Sequence, residues 1–380
     1  MAEVLRVVSS GPCATVQDLG RTGWMKYGLP PSGALDRESF CMANLIAGNS
    51  AGSPGIELTM GGFEAQVLRR TVLSCTGADA EITLDGEQRQ MWEAFEAFPD
   101  QVLRVSAPNS GVRVYVAVMG GIDVPRIGKS ASTYVRGKLG GLHGRPFREG
   151  DMISVSRAGR GRLDDMGAYA VDPRRLAWTR EALRAVFDAE SAGRANRIRV
   201  VIGPQDDCFT LCGLSSFLDS EYTLTAQCDR MGMRFDGPPI ERLEGADIIS
   251  DGMPAGAVQV PADGKPIVMM ADRQTTGGYP KIACVIREDQ SVLAQLRPGA
   301  RVQFCGIPVQ KANALARTPP WERESEACRG CTTTHGASSC MEAQSHDPMC
   351  AETDGGPHDG RLLTMRVNGV DYTVVIREIT

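Results

Sequence analysis

Short apolar runs cut by glycine are what most restrict the fold of this chain. VLRVV (4–8), GIELT (55–59), TVLSC (71–75), QVLRVS (101–106) and VRVYVAVM (112–119) are apolar or alternating, with glycine-rich turns between them. A period of two is the pattern of half-buried strands, and runs this short are brief for helices. Glycine supplies 43 of 380 residues, well above the ~7% usual in proteins, so turns take up much of the chain. A mainly β fold with some α is the expectation. One helix stands out among the strands. Asp36 is placed to cap RESFCMANLIA, and Gly48 with Asn49 supplies the stop.

Length points to two or three domains at roughly 150 residues each. Residues 1–155 read as a first β domain and 156–195 as a helical linker. In the linker, Asp172-Pro173 opens RRLAWTREALRAVF, with Leu176, Leu183, Val186 and Phe187 on one face. A second β domain is read over 196–307, because NRIRVVIGPQDD (196–207) echoes VLRVVSSGPCAT near the start. FREGDMISV (147–155) is likewise echoed by LRPGARVQF (296–304). Residues 308–360 are polar and contain cysteine, so a flexible tail is expected there. The terminal segment, 361–380, reads as a β-hairpin turning at Asn368-Gly369.

The charge balance narrows the function classes. Lys and Arg total 41 against 46 Asp and Glu, a net −5, which is no footprint for nucleic acid. No apolar run approaches the ~20 residues of a membrane span, and the first residues lack a secretory h-region. The twelve cysteines are therefore read as reduced thiols of a cytoplasmic protein.

Among motifs, Gly128-Lys129-Ser130 ends like a phosphate loop, but Asp123 stands where its first glycine belongs. No dinucleotide fingerprint or nucleophile elbow occurs. Cys328-x2-Cys331-x3-His335-x4-Cys340 offers zinc-type ligands, yet its spacing misses the knuckle pattern by one residue and no apolar residues surround it. A cysteine-containing linker is the favoured reading, and no metal is assigned. His143, among glycines, reads as a turn residue. The densest chemistry lies at 272–281, where the run PIVMM ends in Asp272-Arg273-Gln274-Thr275-Thr276 and then Gly277-Gly278-Tyr279-Pro280-Lys281. A polar turn with an internal Asp272–Arg273 pair competes with a binding loop whose glycines let the backbone approach a ligand. Two further polar clusters, 228–232 and 15–21, would complete a pocket for a small polar or anionic substrate.

At these residues the chain resembles a known family. TVQDLGRTGW (15–24), PPSGALDRESFCMANLIAGN (30–49), STYVRGKLGGLHGRPFREGD (132–151), CDRMGMRFDG (228–237) and AVQVPADGKPIVMMADRQTTGGYPKIACVI (257–286) carry the resemblance. It is to the carboxyltransferase family. That family includes the C subunit of bacterial 5-oxoprolinase, the carboxyltransferase part of urea carboxylase, and an antagonist of a sporulation-kinase inhibitor. The resemblance implies two cyclophilin-like β-barrel domains in tandem, and a hetero-oligomer with a smaller kinase-inhibitor-like barrel subunit. A lactam-utilisation-type subunit would complete an ATP-dependent opening of 5-oxo-L-proline to L-glutamate, with ATP used at the level of the complex.

Two alternatives stand beside that reading. One is a carboxyltransferase subunit of a biotin-dependent urea or amide carboxylase, with biotin arriving on another chain because Met25-Lys26 is the only Met-Lys. The other is a non-enzymatic regulator of a kinase-inhibitor-like partner. In the expected site, Asp272, Lys281 and Tyr279 are catalytic. Arg273, Gln274, Thr275, Asp229, Arg230, Gln17 and Asp18 bind substrate, with Arg273 or Lys281 holding its carboxylate.

Overall fold

The computed structural model describes residues 2–155, 171–243, 245, 247–318, 361–367 and 370–376. The chain divides into two units, residues 1–322 and 323–380. The first unit opens with strands β1 (Ala2–Ser10), β2 (Cys13–Gln17), β3 (Gly55–Thr59), β4 (Phe63–Val67) and β5 (Thr71–Asp79). Then come β6 (Ile82–Leu84), β7 (Glu87–Arg89), β8 (Ala94–Ala97), β9 (Val102–Val105), β10 (Ser110–Val118) and β11 (Met152–Val155). They form a six-stranded sheet, β11-β1-β4-β9-β6-β7, and a five-stranded sheet, β2-β3-β10-β5-β8. Alternation sends Leu5, Val7, Leu58, Phe63, Leu103 and Val114 into a shared core.

Helix α1 (Arg37–Ile46) begins where its cap predicts: the Asp36 carboxylate accepts from the Ser39 amide at 3.1 Å. Its Phe40 and Ala43 pack with Tyr115 and Ala117 of β10. Helix α2 (Pro173–Ser191) starts with Pro173 behind the Asp172 cap. It buries Thr179, Leu183, Val186 and Ala189 at helical spacing, while Leu176 and Phe187 are half-buried.

After α2 come β12 (Asn196–Ile202), helix α3 (Leu211–Asp219), β13 (Glu221–Cys228), β14 (Gly232–Asp236) and β15 (Asp251–Gly252). They are followed by β16 (Ala257–Gln259), β17 (Ile267–Met269), β18 (Thr276–Gly277), β19 (Lys281–Val285), α4 (Arg287–Gln295), β20 (Arg301–Gly306) and α5 (Val309–Arg317). Seven of these strands close into a barrel, β12-β19-β16-β17-β14-β13-β20. Phe217, Tyr222, Phe235 and Phe304 lie in its core, Phe217 stacked on Phe304 at 4.7 Å. Each such burial contributes roughly 1.5–3 kcal/mol. The sequence echo falls on β1 and β12, the first strand of the chain and the first after α2. It does not extend to the closing strands: β11 runs antiparallel to β1, whereas β20 runs parallel to β12.

In the second unit, β21 (Arg361–Val367) pairs with β22 (Val370–Ile376), Val367 opposite Val370. Residues Asn368-Gly369 of the expected turn, and the Cys328, Cys331, His335 and Cys340 cluster, lie outside the described residues.

Candidate active site

The 272–281 loop leaves the barrel just past β17, and its first residue turns to a partner 42 positions away. The Asp272 carboxylate accepts from Arg230 Nε at 2.9 Å and from Nη2 at 3.3 Å, and the Asp272 amide donates to the Arg230 carbonyl at 2.8 Å. Arg230 also pairs through Nη1 with Glu57 of β3 and donates through Nη2 to the Gly33 carbonyl at 2.6 Å. One guanidinium is thus shared by two buried carboxylates, one from the first sheet system and one from the barrel. Burial opposes its charge, but Glu57 and Asp272 outweigh that and hold the Arg230 pKa above its ordinary value. The internal Asp272–Arg273 pair does not form.

The junction continues behind Glu57. Its Oε2 accepts from the Leu35 amide at 2.8 Å and from the Tyr115 hydroxyl at 3.0 Å, and that hydroxyl accepts from the Asp36 amide at 2.8 Å. Gln295, at the end of α4, donates to Asp36 Oδ2 at 2.8 Å and accepts from the amides of Val112 and Arg113 at 3.1 and 3.0 Å. Burial lifts the Asp36 carboxyl above the usual carboxylate range, although Gln295 and Ser39 pull it back by hydrogen bonding.

Several expected site residues turn out to build the scaffold. Asp18 and Gln17 were expected to face the substrate; both are buried and spent on the 130–133 loop. Asp18 accepts from Ser132 Oγ at 2.5 Å, Ser130 Oγ at 2.6 Å, and the Gly20 and Ala131 amides at 2.7 Å. Gln17 donates to Thr15 Oγ1 at 3.0 Å and the Thr133 carbonyl at 3.2 Å. Arg273, proposed to hold a carboxylate, is 5% exposed and donates instead to the carbonyls of Met253 at 2.8 Å and Met270 at 3.1 Å. Lys281, the other candidate, is 4% exposed, with Nζ 3.0 Å from Asp251. The reason is a strap, residues 247–256, laid along the loop. Strands β15 and β18 pair there, and the Thr275 carbonyl accepts from the Met253 amide at 3.0 Å. Gly277 packs closely here: a Cβ there would sit 2.6 Å from Met253 Cε and 2.7 Å from Gln259 Nε2, so those two side-chain ends would have to shift.

Three further members of the set, though not Thr275, meet at a cavity of about 390 Å³ against β13, β14, β16 and β17. Asp229, Gln274 and Tyr279 line it, together with Arg136 and Arg234, which sequence reasoning missed. Asp229 Oδ1 accepts from the Met231 amide at 2.7 Å and the Gly232 amide at 3.1 Å, so it shapes the β13–β14 turn. Gln274 donates to Gln259 Oε1 at 3.1 Å, and Gln259 donates to the Tyr279 carbonyl at 3.1 Å. Tyr279 is 45% exposed at the rim. A signal for Arg234 exists in the sequence. Met233 and Phe235 face the barrel core, so the residue between them faces outward. Arg136 has no such signal, since it reaches Met231 from 95 positions away. A larger cavity of about 840 Å³ runs along α2, but Arg180 and Arg184 alternate there with Asp79, Glu181 and Asp188, and no residue of the three polar clusters lines it.

Among the described residues, no group of three or more His, Cys, Asp or Glu is placed to hold a metal ion, and no helix is long and apolar enough to cross a membrane. The family described as carboxyltransferase domain, subdomain A and B, matches residues 27–306. The chain is 35% identical over 311 residues to the C subunit of 5-oxoprolinase from Escherichia coli, covering 81% of this chain and 93% of that one. It is 32% identical over 317 residues to the C subunit of 5-oxoprolinase from Haemophilus influenzae, covering 83% and 94%. Among solved structures, the urea amidolyase of K. lactis superposes with a TM-score of 0.71 at 25% identity, over 83% of this chain and 20% of that one. This chain therefore spans about a fifth of that amidolyase. By the extent of these matches, the chain belongs to the carboxyltransferase domain, subdomain A and B, family.

Proposed function

We propose that this chain is a subunit of an ATP-dependent 5-oxoprolinase, opening 5-oxo-L-proline to L-glutamate together with partner subunits in the cytoplasm. The observation that carries the reading is the identity of 35% and 32% to two 5-oxoprolinase C subunits over 93% and 94% of their lengths. The cavity suits the reading, being small and mixed in lining, with Arg136, Arg234, Gln259, Gln274 and Tyr279 set among apolar residues such as Ile267 and Met269. In this assignment Tyr279 donates to the lactam oxygen as negative charge develops there, and Gln274 contacts the ring amide. Asp272 acts through Arg230 as a positioning residue, and Lys281 through the strap. Both were expected to be catalytic; at 5% and 4% exposed they are given supporting roles in this reading. ATP supplies the driving force at the level of the complex. A smaller kinase-inhibitor-like barrel and a lactam-utilisation-type subunit are the partners this reading requires.

The test is reconstitution. The chain alone should show no 5-oxoproline-dependent ATP hydrolysis, and adding both partner types should restore it with glutamate as product. Tyr279→Phe in that complex should lower kcat about 100-fold with unchanged melting. Full turnover by the isolated chain would sink the subunit assignment.

A second reading, carboxyl transfer from biotin to an amide, is favoured by the likeness to the K. lactis urea amidolyase. Lys26, the only lysine after a methionine, is followed by Tyr27 rather than a second methionine, so in this reading biotin arrives on another chain. Biotin-dependent carboxylation of urea by a reconstituted complex, without 5-oxoproline turnover, would select this reading.

A further inference from the structure

We propose that Arg136 and Arg234 together grip the carboxylate of the substrate, making the cavity selective for a carboxylated lactam over a neutral amide. The inference rests on the 5-oxoprolinase reading and deepens it. Two arginines line this cavity against one acidic residue, Asp229, whose Oδ1 is committed to two backbone amides. Among the described residues no acidic side chain pairs with either guanidinium. Arg136 Nη1 instead abuts the Met231 thioether, a poorer partner for a guanidinium than a carboxylate oxygen is. Some arginines of this unit carry acidic partners, as Arg230 has Glu57 and Asp272, Arg199 has Asp289 and Arg145 has Asp151. Others are held by carbonyls, as Arg273 is; among the described residues Arg136 and Arg234 have no acidic partner. The cavity thus holds positive charge that a small anion would complete.

The two arginines come from different parts of the fold. Arg234 projects from the outer face of β14, while Arg136 belongs to the 132–151 loop of the first half. The grip therefore exists only where these two surfaces meet. Gln259 and Gln274, linked to each other and to the Tyr279 backbone, leave polar groups on the same wall for the ring amide. A planar guanidinium offers two parallel N–H donors to a carboxylate, and a lysine does not.

The experiment uses the reconstituted complex with Arg136→Met, Arg234→Met and Arg136→Lys. The substrates are 5-oxo-L-proline and 2-pyrrolidinone, the same ring without the carboxylate. Each methionine variant should raise KM for 5-oxo-L-proline by about 10- to 100-fold, with kcat changed less. Arg136→Lys should recover part of the loss. Inhibition by 2-pyrrolidinone should stay at the wild-type level in every variant, which general damage to the cavity would not allow. Wild-type KM values in both methionine variants would overturn the proposal. If the wild-type complex does not turn over 5-oxo-L-proline at all, the functional reading fails and calorimetric binding of 5-oxo-L-proline decides the grip. Binding that Arg136→Met abolishes would uphold it; no binding to the wild type would overturn it.

Discussion

Arg230 and Arg234 lie four residues apart, one at the β13–β14 turn and one on β14, yet they live in opposite environments. Arg230 is enclosed at the junction of the two β systems and is saturated by Glu57, Asp272 and the Gly33 carbonyl. Arg234 faces an open cavity and has no acidic partner among the described residues. A charge taken out of water must be paired, because its desolvation costs several kcal/mol, whereas a charge left in water need not be. The junction is therefore read as structure and the cavity as recognition. The same residue type serves both, separated only by what covers it.

The strongest test of that contrast is Arg230→Met. It would leave Glu57 and Asp272 buried without a cation and should lower unfolding stability by about 3–5 kcal/mol, measured by denaturant titration. A loss below about 1 kcal/mol would mean that the junction relaxes or hydrates freely. Gln295→Ala comes next. It removes a donor from Asp36 and the acceptor of two buried amides, and about 1–3 kcal/mol is expected.

A smaller effect should appear in the pH dependence. Because burial raises the Asp36 carboxyl above its ordinary range, the folded state keeps a proton that the unfolded chain has already released. Asp36 thus makes stability fall as pH rises from the ordinary carboxylate range through its raised value, then level off. Asp36→Asn should flatten that part of the profile, and an unchanged slope would remove Asp36 as its source. The smallest expected change is Arg234→Met. Its stability should stay within about 0.5 kcal/mol of the parent, even though its substrate affinity falls. A large stability loss there would place Arg234 in the scaffold and collapse the contrast.

How far the site could be read in advance varied with the range of the interaction. The α1 cap at Asp36 and the Asp172-Pro173 start of α2 rest on contacts within three residues, and they were legible. The polar loop after β17 was also legible as a place of interest, along with the Cys228–Gly232 turn that meets it. Its internal wiring was not. Asp272 pairs with Arg230, 42 positions away, rather than with its neighbour Arg273, whose guanidinium is held by the Met253 and Met270 carbonyls. Gly277 packs against Gln259 and Met253, and the strap that tied up Lys281 left no local trace.

Alternation, caps and glycine placement in the amino-acid order were sufficient to determine a mainly β chain with a small number of capped helices. The alternation that puts Arg234 outside the barrel follows from β14 once Met233 and Phe235 are seen in the core. Only the tertiary structure decided which outward or loop residues would be sealed and which left open. Periodicity assigns a side chain to a face but carries no information about what later packs against that face. Hence Arg273, Lys281, Gln17 and Asp18, polar residues that read as a site, became buried scaffold. Arg136, which read as nothing in particular, came to stand at the cavity because the 132–151 loop of one half folds against the barrel of the other.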